Sequence, residues 1–383
     1  MILAESNLFK AERLGRFFQI SLHQPHQVLS SSTVNGGMRS DITRIVNHQS
    51  CEGRGDDDHC NLIKEIGELG YHEKICGELE LITSQTVLLS TAANMQYIAK
   101  SEIAEGNLSV TSFITAGVKG NATRAGDKAN WKQNEFGKII STKNETLLPQ
   151  GTINIILLFN QSLSPSALAK SLVTLVEAKT AVLQELAVPS LSGSGLATGT
   201  GTDSFALAAP ENVNTFSLTF AGGHSKLGEI TGVSVQTALR EALRWQNGLE
   251  ASLTRNFFYA FSRFGITEFN LTPILEKALP ENFLELWKKN RQGFWHEPQL
   301  AAIAYVITTL LDRVKYGTLS KSVGKEAIYH QLGLLASAVS HQIKSFPVFL
   351  KSMEMENDEP YDVEGLTKLI ANAISIGWQS KWK

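Results

Sequence analysis

Several polar stretches of this 383-residue chain hold residues able to do chemistry, and the densest is 195–203. It reads Gly195-Leu196-Ala197-Thr198-Gly199-Thr200-Gly201-Thr202-Asp203, with three glycines, three threonines and a terminal carboxylate in nine residues. Glycines let backbone N–H groups approach a ligand closely, and the threonines surround them with hydroxyls. The same composition also suits a plain connector between two elements. A second glycine-bearing loop, 117–127, carries Arg124 and Asp127. They fit ligand binding or, three residues apart, a surface turn contact worth about 0.2–1 kcal/mol. In a third stretch, 221–229, His224 stands just ahead of a helical pattern, as a base or donor or as an ordinary loop residue.

Other polar residues stand out because of their apolar surroundings. Asn154 interrupts the run Ile153-Asn154-Ile155-Ile156-Leu157-Leu158-Phe159, and a buried amide must find partners. It either ties the sheet together or faces a site. Asn47 and His48 close another strand-like run, where side chains leave a sheet and meet a ligand. Glu177 and Lys179 lie among small and apolar residues of a helix. Two residues apart, they point in different directions, so at least one lies near the apolar stripe. The stretch Asp56-Asp57-Asp58-His59-Cys60 has metal-ligand types without the spacing of a zinc site, and reads as a solvated acidic loop.

The elements that would position these groups follow from periodicity. Residues 16–22 and 27–33 read as strands joined in a hairpin through His23-Gln24-Pro25-His26, and 41–48 as a third strand. Residues 61–71 have helical apolar spacing, 86–93 form a compact apolar run, and 97–102 and 108–117 read as strands. The near-continuous apolar run to Phe159 fits a strand buried on both faces. Ser164 and Pro165 then cap a helix running to about Leu186, which Pro189 stops. Strands at 204–209 and 216–220 and a helix reaching Asn247 complete this part. The predicted fold is α/β or α+β: a mixed β-sheet with packed helices, followed by a mainly α-helical extension.

Glycine and tryptophan divide the chain. Of 30 glycines, 23 precede residue 250, whereas of six tryptophans only Trp131 precedes Trp245. A boundary is expected there, giving domains 1–249 and 250–383. In the second, residues 300–314, 329–349 and 365–378 read as helices, the middle one stopped near Pro347. Its aromatic residues Phe257, Phe258, Tyr259, Phe261, Trp287 and Trp295 read as core; a lid or a contact in a homo-oligomer are the alternatives.

Bulk properties exclude several function classes. Apolar residues make up 43% and charged residues 19%, with a net charge of −2. That balance argues against a nucleic-acid partner, and no window reaches the ~20 apolar residues of a membrane span. No signal peptide is visible, and three cysteines do not form a full disulfide framework. A cytoplasmic location is expected.

Taken in order, the motifs resemble those of the adenosylcobinamide amidohydrolase family of corrinoid salvage enzymes. The carriers are Gly36-Gly37 with Asn47, Thr115-Ala116-Gly117, and the run from Ala122 to Asp127 with Arg124. Gly151-Thr152-Ile153-Asn154-Ile155, Glu177-Ala178-Lys179-Thr180-Ala181, the loop 197–203, and His224-Ser225-Lys226-Leu227-Gly228-Glu229 continue the series. The resemblance spans about residues 15–247 and leaves the last third uncovered. It implies hydrolysis of the amide between aminopropanol and the corrin ring, giving adenosylcobyric acid in cobalamin salvage. The partner is then a small-molecule corrinoid. No cofactor is expected, because cobalt enters with the substrate.

Amide hydrolysis needs a nucleophile, a donor for the leaving amine and donors for the oxyanion. No Gly-x-Ser-x-Gly elbow is present. The resemblance therefore suggests attack by water, with Glu177, Asp203 or His224 as general acid/base. Thr198, Gly199, Thr200, Gly201 and Thr202 would stabilise the oxyanion or hold the corrin's amides, and a threonine nucleophile from this loop is the variant reading. Asn47, Arg124, Asn154 and Lys179 are candidate substrate-positioning residues. The competing class is a non-catalytic corrinoid-binding protein on the same fold. A phosphate-binding reading is weaker, since no Gly-x-x-x-x-Gly-Lys-Ser/Thr is present and the loop enters a strand.

Overall fold

A computed structural model describes residues 1–51, 58–129, 131–135, 139–141, 151–211, 216–354 and 358–381. The chain divides into two compact units, Met1–Leu249 and Glu250–Lys383. Among the described residues no helix is long and apolar enough to cross a membrane.

The first unit begins with β1 (Ile2–Glu5), β2 (Phe9–Leu14) and β3 (Phe17–Leu22), an antiparallel meander. β4 (His26–Ser30) and β5 (Gly37–Arg39) belong to another sheet, and β6 (Arg44–Gln49) returns beside β3. α1 (Asp58–Glu78) then leads to β7 (Thr86–Thr91), parallel to β6. β8 (Ala99–Glu105) and β9 (Leu108–Ala116) form a hairpin. The short strands β10 (Ala122–Thr123), β11 (Trp131–Gln133) and β12 (Ile139–Ser141) precede the buried β13 (Ile153–Phe159). α2 (Pro165–Glu185), β14 (Gly199–Thr200), β15 (Ser204–Pro210) and α3 (Lys226–Asn247) complete the unit.

Two larger sheets result, ordered β1-β2-β3-β6-β7 and β5-β4-β15-β13-β9-β8. Their inner faces meet in one core, where Phe18, Ile20, Ile45, Val87 and Leu89 of the first sheet pack with Val28, Phe113, Ile156, Leu158 and Ala206 of the second. Alternation along each strand sends every second residue into this layer. On the outer face of the first sheet, Tyr71 and Ile75 of α1 pack on Val46 and Leu88. α3 lies against β8 and β9, where small side chains allow close approach: Ser112 donates to the Ser234 carbonyl at 2.9 Å. The unit is thus a helix–sheet–sheet–helix sandwich: the expected α/β class holds, with two packed sheets where one mixed sheet was expected.

Several sequence expectations hold at the level of single residues. Ser164 accepts from the Ala167 N–H at the start of α2, with Pro165 in its first turn. β13 is buried throughout, because β9 and β15 flank it in the centre of its sheet.

Others are corrected. Residues 16–22 and 27–33 are not a hairpin: β3 pairs with β2 and β6, and β4 with β5 and β15. Phe18 and Ile20 instead face Val28 across the two sheets, so the link at 23–25 passes between layers. Residues 216–220 form no strand; Leu218 makes one isolated bridge to Leu163, with Phe216 and Phe220 exposed beside it. The helix expected over 61–71 is part of the longer α1, which breaks at Gly67, where φ is 72°. Of the acidic stretch at 56–60, Asp56 and Asp57 lie outside the described residues, while 58–60 begin α1.

The second unit is helical: α4 (Ala251–Thr254), α5 (Phe257–Phe261), α6 (Glu268–Ala278), α7 (Glu281–Phe294), α8 (Pro298–Lys315), α9 (Lys321–Ser340), α10 (Phe346–Glu354) and α11 (Val363–Lys381). Phe257, Phe261, Trp287 and Trp295 are buried together in its core, with Phe258 packed against it. The single helix expected over 329–349 is two. α9 ends at Ser340 because His341 adopts φ 58°, and Pro347 sits in the first turn of α10, where a missing N–H costs nothing.

Candidate functional site

The loop 195–203 is built around its final carboxylate. Asp203 Oδ1 accepts from the Thr200 hydroxyl at 2.6 Å, the Thr200 N–H at 3.1 Å and the Ile153 N–H at 3.2 Å. Its Oδ2 is paired with Lys179 Nζ. Lys179 lies on the buried face of α2 and is 8% exposed, whereas Glu177 is exposed on the other side of the helix. The stem of Lys179 therefore runs along apolar neighbours while its ammonium reaches the loop. This settles which of the two residues lies by the apolar stripe.

Gly199 has a steric reason to be glycine, since a β-carbon there would lie 2.3 Å from Asp203 Oδ2 and 2.7 Å from Lys179 Nζ. β14 pairs with β10, so the loop is a clamped ribbon rather than a tether. Thr198 accepts from the Ala125 N–H at 2.8 Å and its carbonyl from Thr180 at 3.2 Å. Arg124 crosses beneath, donating to the Leu196 carbonyl at 3.2 Å. Asp127 closes the second loop. Burial would raise its pKa, but donors from Ser190, the Arg124 N–H and Thr123 outweigh that and hold the carboxyl below its usual range.

The other loop hydroxyls are also engaged. Thr202 Oγ1 lies 2.6 Å from Thr152 Oγ1, accepts from Asn121 Nδ2 at 3.0 Å and donates to the Gly151 carbonyl at 3.0 Å. The Gly201 N–H donates to the Asn121 carbonyl at 3.2 Å. Gly151 itself approaches the second loop so closely that a β-carbon would meet the Gly117 carbonyl at 2.6 Å. Asn121, Thr152 and Thr180 thus belong to the cluster, although sequence reading singled out none of them individually. Thr152 had one usable signal: it is the polar residue at the mouth of the most apolar strand.

A second polar group sits between the sheets at the same end. Asn154 Nδ2 donates to Asn47 Oδ1 at 2.8 Å and to the Ser90 carbonyl at 3.0 Å, and Asn47 Nδ2 donates to Thr115 Oγ1 at 2.9 Å. Asn154 and Asn47 are 0% and 1% exposed. Asn154 Oδ1 has no protein partner among the described residues. Asn154 pairs in register with Ser204, the residue after Asp203, so the seam and the loop share one strand end. On the outer side of the first sheet, His48 Nδ1 lies 2.7 Å from the Tyr71 hydroxyl and its ring stacks on Phe17. Burial pushes the pKa of Tyr71 well above its ordinary value, so that phenol stays protonated.

The cluster therefore gathers Asp203, Lys179, Thr198, Gly199, Thr200, Gly201, Thr202 and Arg124 around the amino ends of β13 and β15, with Asn154 and Asn47 behind. Glu177 and His224 are not brought to it. His224 is exposed in the turn before α3, and the chain just ahead of it lies along the first half of α2: the Ala221 carbonyl accepts from Thr174, and Gly222 adjoins Lys170. Nine residues of helix separate Lys170 from Lys179, about 13 Å.

A 35% identical stretch of 184 residues relates the chain to "Uncharacterized protein MJ1613" of Methanocaldococcus jannaschii, covering 47% of this chain and 71% of that one. Among solved structures, a Burkholderia sp. beta-aminopeptidase is similar at a TM-score of 0.30 and 12% identity, covering 61% of this chain and 81% of that chain. The PH0078 protein from Pyrococcus horikoshii OT3 has a TM-score of 0.29 and 11% identity, covering 63% and 82%. The family model described as adenosylcobinamide amidohydrolase matches residues 4–251, which include every element of the cluster. The chain belongs to the adenosylcobinamide amidohydrolase family.

Proposed function

We propose that the protein hydrolyses the amide joining aminopropanol to the corrin ring of adenosylcobinamide, releasing adenosylcobyric acid for cobalamin salvage. The observation that carries this reading is the family match over the whole first unit, joined to the clamped Lys179–Asp203–Thr200 cluster inside it. Such a cluster holds a carboxylate, an ammonium and a hydroxyl in one place, the groups amide cleavage uses.

Of the three acid/base candidates, Asp203 has the built environment. It would take a proton from the attacking group, with Lys179 fixing its orientation and supplying positive charge as the tetrahedral oxyanion forms. Thr200 deserves a second reading because its hydroxyl donates to Asp203 at 2.6 Å. In that version Thr200 Oγ1 attacks the amide carbon, Asp203 takes the hydroxyl proton and returns it to the nitrogen as the C–N bond breaks, and water later cleaves the ester. Arg124 would position the corrin's peripheral amides, while Asn154 and Asn47, buried between the sheets, would hold the strand end behind the loop. Cobalt arrives within the substrate, and no resident cofactor is invoked.

Incubating the full chain with adenosylcobinamide tests the proposal. Release of aminopropanol together with adenosylcobyric acid is expected, with Asp203→Asn lowering kcat by about a hundredfold. Tight binding of the corrinoid with no amine released would instead identify a non-catalytic corrinoid-binding protein. Full activity in Asp203→Asn would overturn the acid/base scheme, and Glu177→Gln, away from the cluster, should keep its activity.

A further inference from the structure

Asp203 turns toward α2, but the next residue, Ser204, lines a different space: a cavity of about 180 Å³ between α1, β7 and the segment after β4. Its walls include Tyr71 and His72 from α1, Ser90 from β7, and Ser31 and Thr33, with Glu68 exposed at the rim. No residue assigned to the loop cluster lines it.

Two further observations point to a ligand. His72 is 1% exposed, and among the described residues neither ring nitrogen meets a partner at full hydrogen-bond geometry, the Thr83 backbone being only a weak contact. An imidazole buried beside an open cavity with unmet hydrogen-bonding capacity is costly unless something enters and meets it. Among the described residues the lining also contains one carboxylate, several hydroxyls and neither lysine nor arginine.

These features select the occupant. An anion would meet Glu68 without a counter-charge. A hard divalent cation needs six or more oxygen ligands of suitable charge, and a single carboxylate falls short. A purely apolar molecule would leave the His72 ring unmatched. The volume suits a molecule a few times the size of water and excludes a macrocycle.

We propose that this cavity binds a small primary ammonium ion bearing a hydroxyl group, its charge at Glu68 and its hydroxyl among Ser31, Ser90, Ser204 and His72. The inference rests on the amide-hydrolysis reading, in which such an amino alcohol is the leaving group; the cavity is then the compartment that receives it beside the loop.

Calorimetric titration of the full chain with aminopropanol, propylamine and propanol tests this. Saturable binding of aminopropanol is expected, with each analogue about tenfold weaker, since each lacks one of the two recognised groups. Glu68→Gln, which removes the charge, and Thr33→Phe, which fills the mouth, should each weaken binding by about tenfold with unchanged Tm. Both residues are exposed, so folding is preserved. Absence of saturable binding, or binding indifferent to both substitutions, overturns the cavity assignment. The parent reading fails separately: cavity-dependent amine binding in a protein that releases no amine from adenosylcobinamide upholds the site and removes the reaction.

Discussion

Gly199 lies so close beneath Asp203 that a methyl group in its place would stand 2.3 Å from the carboxylate oxygen that Lys179 holds. Both obstructing atoms are ends of side chains, so the obstruction falls on the ion pair before it falls on the backbone. Gly199→Ala is therefore expected to fold, with about 1–3 kcal/mol of stability lost, and to lose turnover by more than tenfold. Parallel thermal melts and turnover assays check this; a variant that unfolds outright, or one with full activity, contradicts it.

The Lys179–Asp203 pair is mostly buried, with side chains 10% and 17% exposed. Removing one partner leaves a charge without compensation, so Lys179→Met is expected to destabilise by about 3–5 kcal/mol. Lys179→Met with Asp203→Asn should be less destabilised than the sum of the two single variants. Urea denaturation of the four proteins gives the coupling, and strict additivity would remove the pair from the account.

How much of this was legible in the sequence differs by layer. The buried strand ending at Phe159 and the cap at Ser164 could be read directly, because burial and capping leave local signatures. The pairing of strands could not, since residues 16–22 and 27–33 meet across the sandwich and no local pattern distinguishes facing from adjacent. Asp203 and Lys179 were legible as unusual residues, but their contact spans 24 positions of sequence and only the fold brings it about. Glu177 and His224 looked equally apt as chemistry and stand away from the cluster, because residue type reveals nothing about which side of a helix or which end of a strand it occupies.

The amide seam offers a test of polar satisfaction. Asn154→Leu strands the Asn47 amide oxygen in the sheet interior and should cost about 1–3 kcal/mol. Asn47→Leu combined with Asn154→Leu removes both amides and should recover part of that loss. Chemical denaturation curves decide between recovery and a further drop.

Two buried histidines set an acid limb. Burial depresses the pKa values of His26 and His72 below the ordinary 6.5, so the folded protein holds them neutral. Protonation then favours the unfolded chain: this contribution is intact above pH 6.5 and is lost as pH falls below it. Stability measured from pH 7 to pH 5 should decline, and His26→Gln should flatten the decline. A pH-independent Tm over that range would contradict the linkage.

The first unit ends on a left-handed Gly248 that stops α3, one residue before the boundary at Leu249. Residues 1–249 expressed alone are expected to unfold cooperatively and to retain turnover of adenosylcobinamide. Loss of turnover with the fold intact would give the helical unit a part in the reaction.

The Asn47–Asn154 bond has a mechanical side as well. Two oily surfaces pressed together resist separation but offer little resistance to sliding, and a hydrogen bond of 2.8 Å crossing that plane acts as a dowel. Because strand faces alternate with every residue, a slip of one position would pull both amides off their mates and turn them away from the seam. The pin thus fixes the alignment of one sheet over the other at the end where Ser90 and Ser204 line the same cavity, and with it the shape of that cavity.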